Sequence, residues 1–135
     1  MGRGSETIRE VARLYIRRQR QAVAGCDDTS LTSCWILGEL GRSGELTLQG
    51  LATSIGYDKS WTSRVVETLA AEGLIANKSH PADARCVSLA LSRRGQARFA
   101  AINDALDGDA RDLARLIPAE KRAMVDEALL LLLEA

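Results

Sequence analysis

Residues 74–91 hold two short apolar runs parted by a polar tip, and no other stretch restricts the fold of this chain so tightly. The first run is Leu74-Ile75-Ala76. The second, Val87-Ser88-Leu89-Ala90-Leu91, alternates apolar and polar residues as a half-buried strand does. The segment between them carries His80, Pro81, Asp83 and Arg85. Apolar arms around such a tip predict a β-hairpin, and the elements before it decide what the hairpin is for.

Directly upstream, Asp58 is placed to cap a helix that runs to Glu72 and is closed by Gly73. Before that, residues 48–54 predict a short helix with Thr47 as N-cap and Leu48, Leu51 and Ala52 as its apolar side. Ile55-Gly56-Tyr57 is a tight turn between the two. Short helix, glycine turn, capped helix and hairpin follow each other in the order of a winged helix-turn-helix. In that setting an Asp-x-Arg tip is a finger able to carry a guanidinium into a DNA minor groove.

The flanks read as helices. Residues 5–24 place Ile8, Val11, Ala12, Tyr15, Gln19 and Ala22 on one stripe, with Ser5 to cap it and Gly25 to end it. Residues from about 32 to 40 bury Ile36, Leu37 and Leu40 and stop at Gly41-Arg42-Ser43-Gly44. A helix from near Ser92 carries Phe99, Ile102, Leu106, Ala110, Leu113 and Leu116, with Gly108 as a weak point midway. A last helix is expected to start at Pro118, a favoured first-turn residue. It ends in Leu129-Leu130-Leu131-Leu132-Leu133, and consecutive leucines cover every side of a helix. One small domain rarely buries a terminal helix on all sides, whereas a partner subunit does so readily. The first and last helices therefore predict a homodimer. The fold class is mainly α with a small β-hairpin wing. One single-domain protomer comprises an N-terminal dimerisation helix and connector (1–30), a winged helix-turn-helix (31–95) and C-terminal dimerisation helices (96–135).

The chain has 135 residues, of which 46% are hydrophobic and 27% charged, enough for one soluble domain with a core. Its net charge is zero, so nucleic-acid binding cannot be argued from the sum. The distribution says more. Residues 1–24 hold Arg3, Arg9, Arg13, Arg17, Arg18 and Arg20, while residues 104–112 hold Asp104, Asp107, Asp109 and Asp112. No bilayer-spanning run and no signal-peptide core are present, and a cytoplasmic location without membrane contact is expected. No nucleophile, base and orienter set and no glycine-rich phosphate loop appear, and there is one histidine, so an enzyme is not expected.

On the helix after Asp58, Trp61, Val65 and Leu69 share a face expected to pack inward, with Thr62 and Val66 beside it. Ser60, Ser63, Arg64 and Glu67 face the other way, with Lys59 at the edge of the first turn. Small hydroxyls let a helix approach base edges, and Arg64 can take a bidentate contact to guanine. Lys59 and the backbone N–H groups near Asp58 suit phosphate. Lys59, Ser60, Thr62, Ser63, Arg64, Asp83 and Arg85 are the candidate DNA contacts. The plain alternative is a solvated helix face, and for Arg85 a hairpin-tip ion pair with Asp83. Trp61 is expected in the core, with base stacking as the alternative.

These residues resemble the multiple-antibiotic-resistance-regulator (MarR) family of bacterial transcription factors. The resemblance runs through Leu31-Thr32, Leu46-Thr47, Leu51-Ala52, Gly56, Asp58, Ser60, Thr62-Ser63-Arg64, Leu69, Glu72-Gly73-Leu74-Ile75, Asp83-x-Arg85 and Leu89-x-Leu91-Ser92-x-x-Gly95. Leu91-Ser92 departs from a usual Leu-Thr, and serine caps a helix equally well. The resemblance implies an obligate homodimer on a pseudo-palindromic operator in double-stranded DNA, with half-sites about one helical turn, roughly 10 bp, apart. It also implies repression relieved by a small-molecule effector or by thiol oxidation, through a changed spacing of the recognition helices.

Three cysteines, Cys26, Cys34 and Cys86, are widely spaced and include no Cys-x-x-Cys, so a zinc framework is not supported. Cys26 and Cys34 flank the turn between the first two helices and are candidate sensors, either through a soft metal or metalloid such as copper or arsenite or through oxidation. Cys86 follows the wing arginine. The plain reading of all three is as small buried hydrophobes. The alternative function is a winged-helix protein-interaction module without DNA recognition.

Overall fold

The computed structural model describes residues 2–26, 30–80 and 83–135, with the side chains of all these except residues 79, 80 and 83–86. The chain order is α1 (Gly2–Val23), α2 (Leu31–Ser43), β1 (Leu46–Thr47), α3 (Leu48–Ile55), α4 (Lys59–Ala71), β2 (Ile75–His80), β3 (Asp83–Leu91), α5 (Arg93–Arg115), a 3₁₀ turn (Ala119–Lys121) and α6 (Arg122–Glu134). The fold is mainly helical with one small antiparallel sheet, the winged-helix arrangement.

Side-chain caps set the helix starts. The Ser30 hydroxyl accepts from Ser33 N–H at 3.1 Å and opens α2. Thr47 does the same for α3 through Gly50 N–H (3.0 Å), Asp58 for α4 through Trp61 N–H (2.8 Å), and Ser92 for α5 through Gly95 N–H (3.0 Å). Each satisfies a donor the helix leaves open, worth about 1 kcal/mol. The Ser92 hydroxyl also donates to the Gly73 carbonyl at 2.6 Å, so one oxygen fastens the loop after α4 to the start of α5.

The sheet order is β1-β3-β2. Ile75 pairs with Leu91 and Ser79 with Val87, and the register shifts between Ser79 and His80. The sequence reading held only the hairpin. β1 adds a third strand, with Leu46 opposite Leu89 and Thr47 opposite Ser88, and ties the start of α3 to the wing.

The core lies where α2, α3, α4 and the sheet meet α5. Ile36, Leu37, Leu51 and Leu74 are completely buried there, with Leu40, Leu69 and Ile102 nearly so. Burying each such aliphatic side chain contributes about 1.5–3 kcal/mol. Gly41 lets α5 come close, since a Cβ there would lie 2.5 Å from the Phe99 ring.

The C-terminal end departs from expectation. Pro118 is extended (φ −52°, ψ 134°) and precedes the 3₁₀ turn, and α6 starts at Arg122. The Arg122 guanidinium explains the break. It donates to the Ile117 carbonyl (3.0 Å) and the Arg115 carbonyl (3.3 Å), closing the end of α5. Gly108 does not interrupt α5.

The basic and acidic segments meet. Arg18 on α1 makes a two-pronged pair with Asp109 on α5, Nη2 to Oδ1 at 2.9 Å and Nε to Oδ2 at 3.1 Å, with both side chains about three-quarters buried. Upstream of this anchor α1, and nearly all of α6, stay open to solvent in a single chain, while Val23 at the end of α1 is buried. Ile8 is 51% and Val11 50% exposed, and Leu129 to Leu133 range from 47% to 83%. Among the described residues no helix is long and apolar enough to cross a membrane.

Candidate nucleic-acid interface

α3 and α4 are joined by Gly56, Tyr57 and Asp58. Gly56 takes the left-handed conformation (φ 77°, ψ 25°) that glycine adopts without strain, and its N–H bonds back to the Ala52 carbonyl at 3.0 Å. The pair is braced from α2. Glu39 accepts hydrogen bonds from the hydroxyls of Ser54 (2.7 Å) and Ser43 (3.2 Å) and from Arg42 (3.1 Å). The Ser54 bond, then the Arg42 bond, hold its carboxyl below the ordinary range. The far end of α3 is thereby pinned to α2 by a charge-assisted bond.

On α4, Thr62, Val66 and Leu69 are buried and Trp61, Val65 and Ala70 half-buried. Ser60, Arg64, Glu67 and Thr68 face solvent with Lys59 at the start, and Ser63 is half-buried. Among the described residues the side chains of Lys59 and Arg64 have no hydrogen-bond or ion-pair partner. Arg64 thus presents all five of its donors outward.

Thr62 has to be withdrawn from the candidate DNA contacts. It is 0% exposed, and its hydroxyl donates to the Asp58 carbonyl one turn back at 2.8 Å. A buried hydroxyl satisfied within its own helix has nothing left to offer DNA. The inward face is therefore centred one residue later than the sequence suggested. Trp61 also departs from expectation and lies outside the main core cluster. Its ring stacks on Tyr57 (centroids 4.4 Å apart, 27° between planes), and Tyr57 stacks on Trp35 of α2 (6.2 Å, 29°). Helical phase gives no sign of the roles of Tyr57 and Trp35. Aromatic scarcity was the signal available, since three of the chain's five aromatic residues form this one stack.

The wing stands beside α4 and is held at its base by Lys78 of β2, which pairs with Glu45 at 3.1 Å. Asp83, Arg85 and Cys86 fall on β3, and their side chains, with that of His80, lie outside the described residues, as do Pro81 and Ala82. Cys26 is half-buried beside the core and Cys34 is buried in it. Burial, with Cys26 nearby, pushes the Cys34 thiol up to about 11. Among the described residues no three of His, Cys, Asp and Glu cluster as a metal site would require.

Residues 30–87 match the model of the MarR family. Over that stretch the chain is similar to the MarR family. Members of this family are DNA-binding transcription regulators. No curated protein sequence matches the chain. Solved structures do, across nearly its whole length. RV1404 from Mycobacterium tuberculosis is 23% identical with a TM-score of 0.82, over 97% of this chain and 90% of that one. Wild-type MarR from E. coli, in its apo form, is 18% identical with a TM-score of 0.85, over 96% of each chain. MepR from S. aureus, solved as a DNA complex, is 18% identical with a TM-score of 0.78, again over 96% of each. At such identities the likeness is one of fold.

Proposed function

We propose that this protein is a homodimeric, sequence-specific regulator of transcription that binds a pseudo-palindromic site in double-stranded DNA and represses until an effector releases it. The observation that carries the reading is the outward face of α4. Ser60, Ser63 and Arg64 stand there beside Lys59, on a helix capped by Asp58, braced through Glu39 and followed by a wing. In the major groove Arg64 would take guanine, and Lys59 and the first-turn N–H groups a phosphate. Asp83 and Arg85 would serve the neighbouring minor groove. The dimer draws support from the open leucines of α6 and the exposed stripe of α1. A cavity of about 300 Å³ between the end of α2, the wing base and α5, with Glu45, Lys78 and Gln96 on its wall, gives a small-molecule effector a place to act on the wing. The raised Cys34 thiol stays protonated near neutral pH, which disfavours release through a Cys34 thiolate, oxidised or metal-bound.

The test is a band shift on duplexes enriched from a random pool. Arg64→Ala should cost about 1–3 kcal/mol, roughly 5- to 150-fold, and relax the preference at one base. Lys59→Ala should weaken all sequences alike and lower the salt slope by about one. Unchanged binding by Arg64→Ala would leave a protein-interaction module as the better reading.

A further inference from the structure

The stack of Trp35, Tyr57 and Trp61 is unexplained by packing, because all three rings stand apart from the main core cluster. Trp61 occupies the first turn of α4 and is half-buried, and Tyr57 is 39% exposed. By helical phase Trp61 lies on the flank between the buried face of Thr62, Val66 and Leu69 and the open face of Ser60, Arg64 and Glu67. It neighbours Arg64 three residues on. Around it, the outward positions of the first two turns are Lys59, Ser60, Ser63, Arg64 and Glu67, every one of them polar. Trp61 is therefore the one broad apolar surface that this part of α4 brings to its open side.

We propose that Trp61 is a specificity-determining residue that reads the 5-methyl group of a thymine in each half-site, with Tyr57 and Trp35 as the wall that fixes its ring. The inference rests on the DNA-binding reading above. Among base edges in the major groove, the thymine methyl is the apolar feature, and the partners it accepts are apolar surfaces. The first turn of a recognition helix is the part that reaches base edges. A tryptophan stacked at 4.4 Å on a neighbour that is itself stacked has few rotamers left, so little freedom is lost when the methyl docks. Burying one methyl-sized group is worth about a fourfold change in affinity.

The experiment uses the duplex enriched by the full-length wild-type protein, with each thymine replaced singly by deoxyuridine, which removes only the methyl. At one thymine per half-site the wild type should bind about fourfold more weakly. Trp61→Ala, checked for an intact fold by thermal melting, should be indifferent to the same replacement, and Trp61→Phe should keep part of the sensitivity. Fluorescence gives a second readout that needs no loss of the ring. The chain has two tryptophans, so in Trp35→Phe the emission belongs to Trp61. It should change on adding the thymine duplex and change less with the deoxyuridine duplex. The inference is overturned if no deoxyuridine weakens the wild type, if Trp61→Ala suffers the same loss, or if Trp61 emission ignores the duplex. If the wild type enriches no duplex, or Arg64→Ala binds as wild type does, the DNA-binding reading itself falls, a result these others cannot imitate.

Discussion

Gly95→Ala should be among the most damaging single-methyl changes in this protein. Gly95 sits in the first turn of α5, where the chain leaves the wing, and it is buried. A Cβ there would press into the Leu74 carbonyl oxygen, far inside van der Waals contact, with the carbonyl carbon 3.0 Å away. The obstructing atoms are backbone and cannot swing aside. The same carbonyl accepts from Ser92 N–H at 3.0 Å, so making room means stretching that bond. Overpacking of this kind costs roughly 1–3 kcal/mol, and a weakened buried hydrogen bond moves the total to about 3 kcal/mol. For a domain of this size that is a fall in Tm of roughly 9 °C. Gly108→Ala in the same helix is the control. Nothing lies within 4 Å of its Cβ, so relief of the helical glycine penalty should raise stability by up to about 1 kcal/mol. Both are read by circular-dichroism melting at one protomer concentration, because association would shift Tm. Gly95→Ala melting within about 2 °C of wild type would refute the close approach of α5 to Leu74.

Three further outcomes are expected. Asp58→Ala should lose about 1 kcal/mol from the α4 cap, seen as a lower urea midpoint at unchanged slope, while Asp58→Asn keeps most of it. The Glu39 carboxyl, held below its ordinary 4.5 chiefly by the Ser54 hydroxyl, stabilises the fold above that pH and ceases to as pH falls through it. The stability gap between wild type and Glu39→Gln should therefore shrink below pH 4.5, and a gap that stays constant from pH 7 to 3 contradicts the bond network. Cys34 runs the opposite way. Its thiol is raised from 9.0 to about 11 by burial, so its share of stability is complete below pH 9 and fades as pH climbs toward 11. Cys34→Ala should flatten that alkaline decline in urea-unfolding curves, and a thiol reagent should reach Cys34 near neutral pH only after unfolding.

What the sequence disclosed of this fold is what short-range chemistry controls. Thr47, Asp58 and Ser92 announced three helix starts, because a cap is a contract between residues three apart. Ile36, Leu37 and Leu40 announced a buried face by spacing alone. The omissions have a common cause in contacts between distant segments. β1 is two residues long and exists by pairing with Leu89 and Ser88. The break before α6 depends on Arg122 reaching carbonyls of the previous helix. Thr62 lies beside the inward face by helical phase, and its hydroxyl alone suggests a DNA contact until it is seen bonded to its own helix. Trp61 shares a helical phase with Val65 and Leu69 that points to the core, whereas its ring stacks on Tyr57, which in turn stacks on Trp35 of α2. Of the candidate interface, the outward placement of Ser60 and Arg64 could be read from helical phase, but the bracing by Glu39 could not.

α1 is anchored toward its C-terminal end, by Arg18 and by the buried Val23, and this carries a thermodynamic consequence. Arg18 grips Asp109 near the end of the helix, leaving four turns upstream whose apolar residues are more than a third exposed. An isolated helix of that length is marginal in water. Near its free end, Thr7 and Ile8 of α1 and Ala128, Leu131 and Leu132 of the similarly bare α6 line one open pocket. In the proposed homodimer the helicity of these turns would depend on protomer concentration as well as on their own sequence. In the proposed homodimer, dilution should loosen the upstream turns of α1 while the buried cluster, which holds Val23 at the other end of the helix, stays folded.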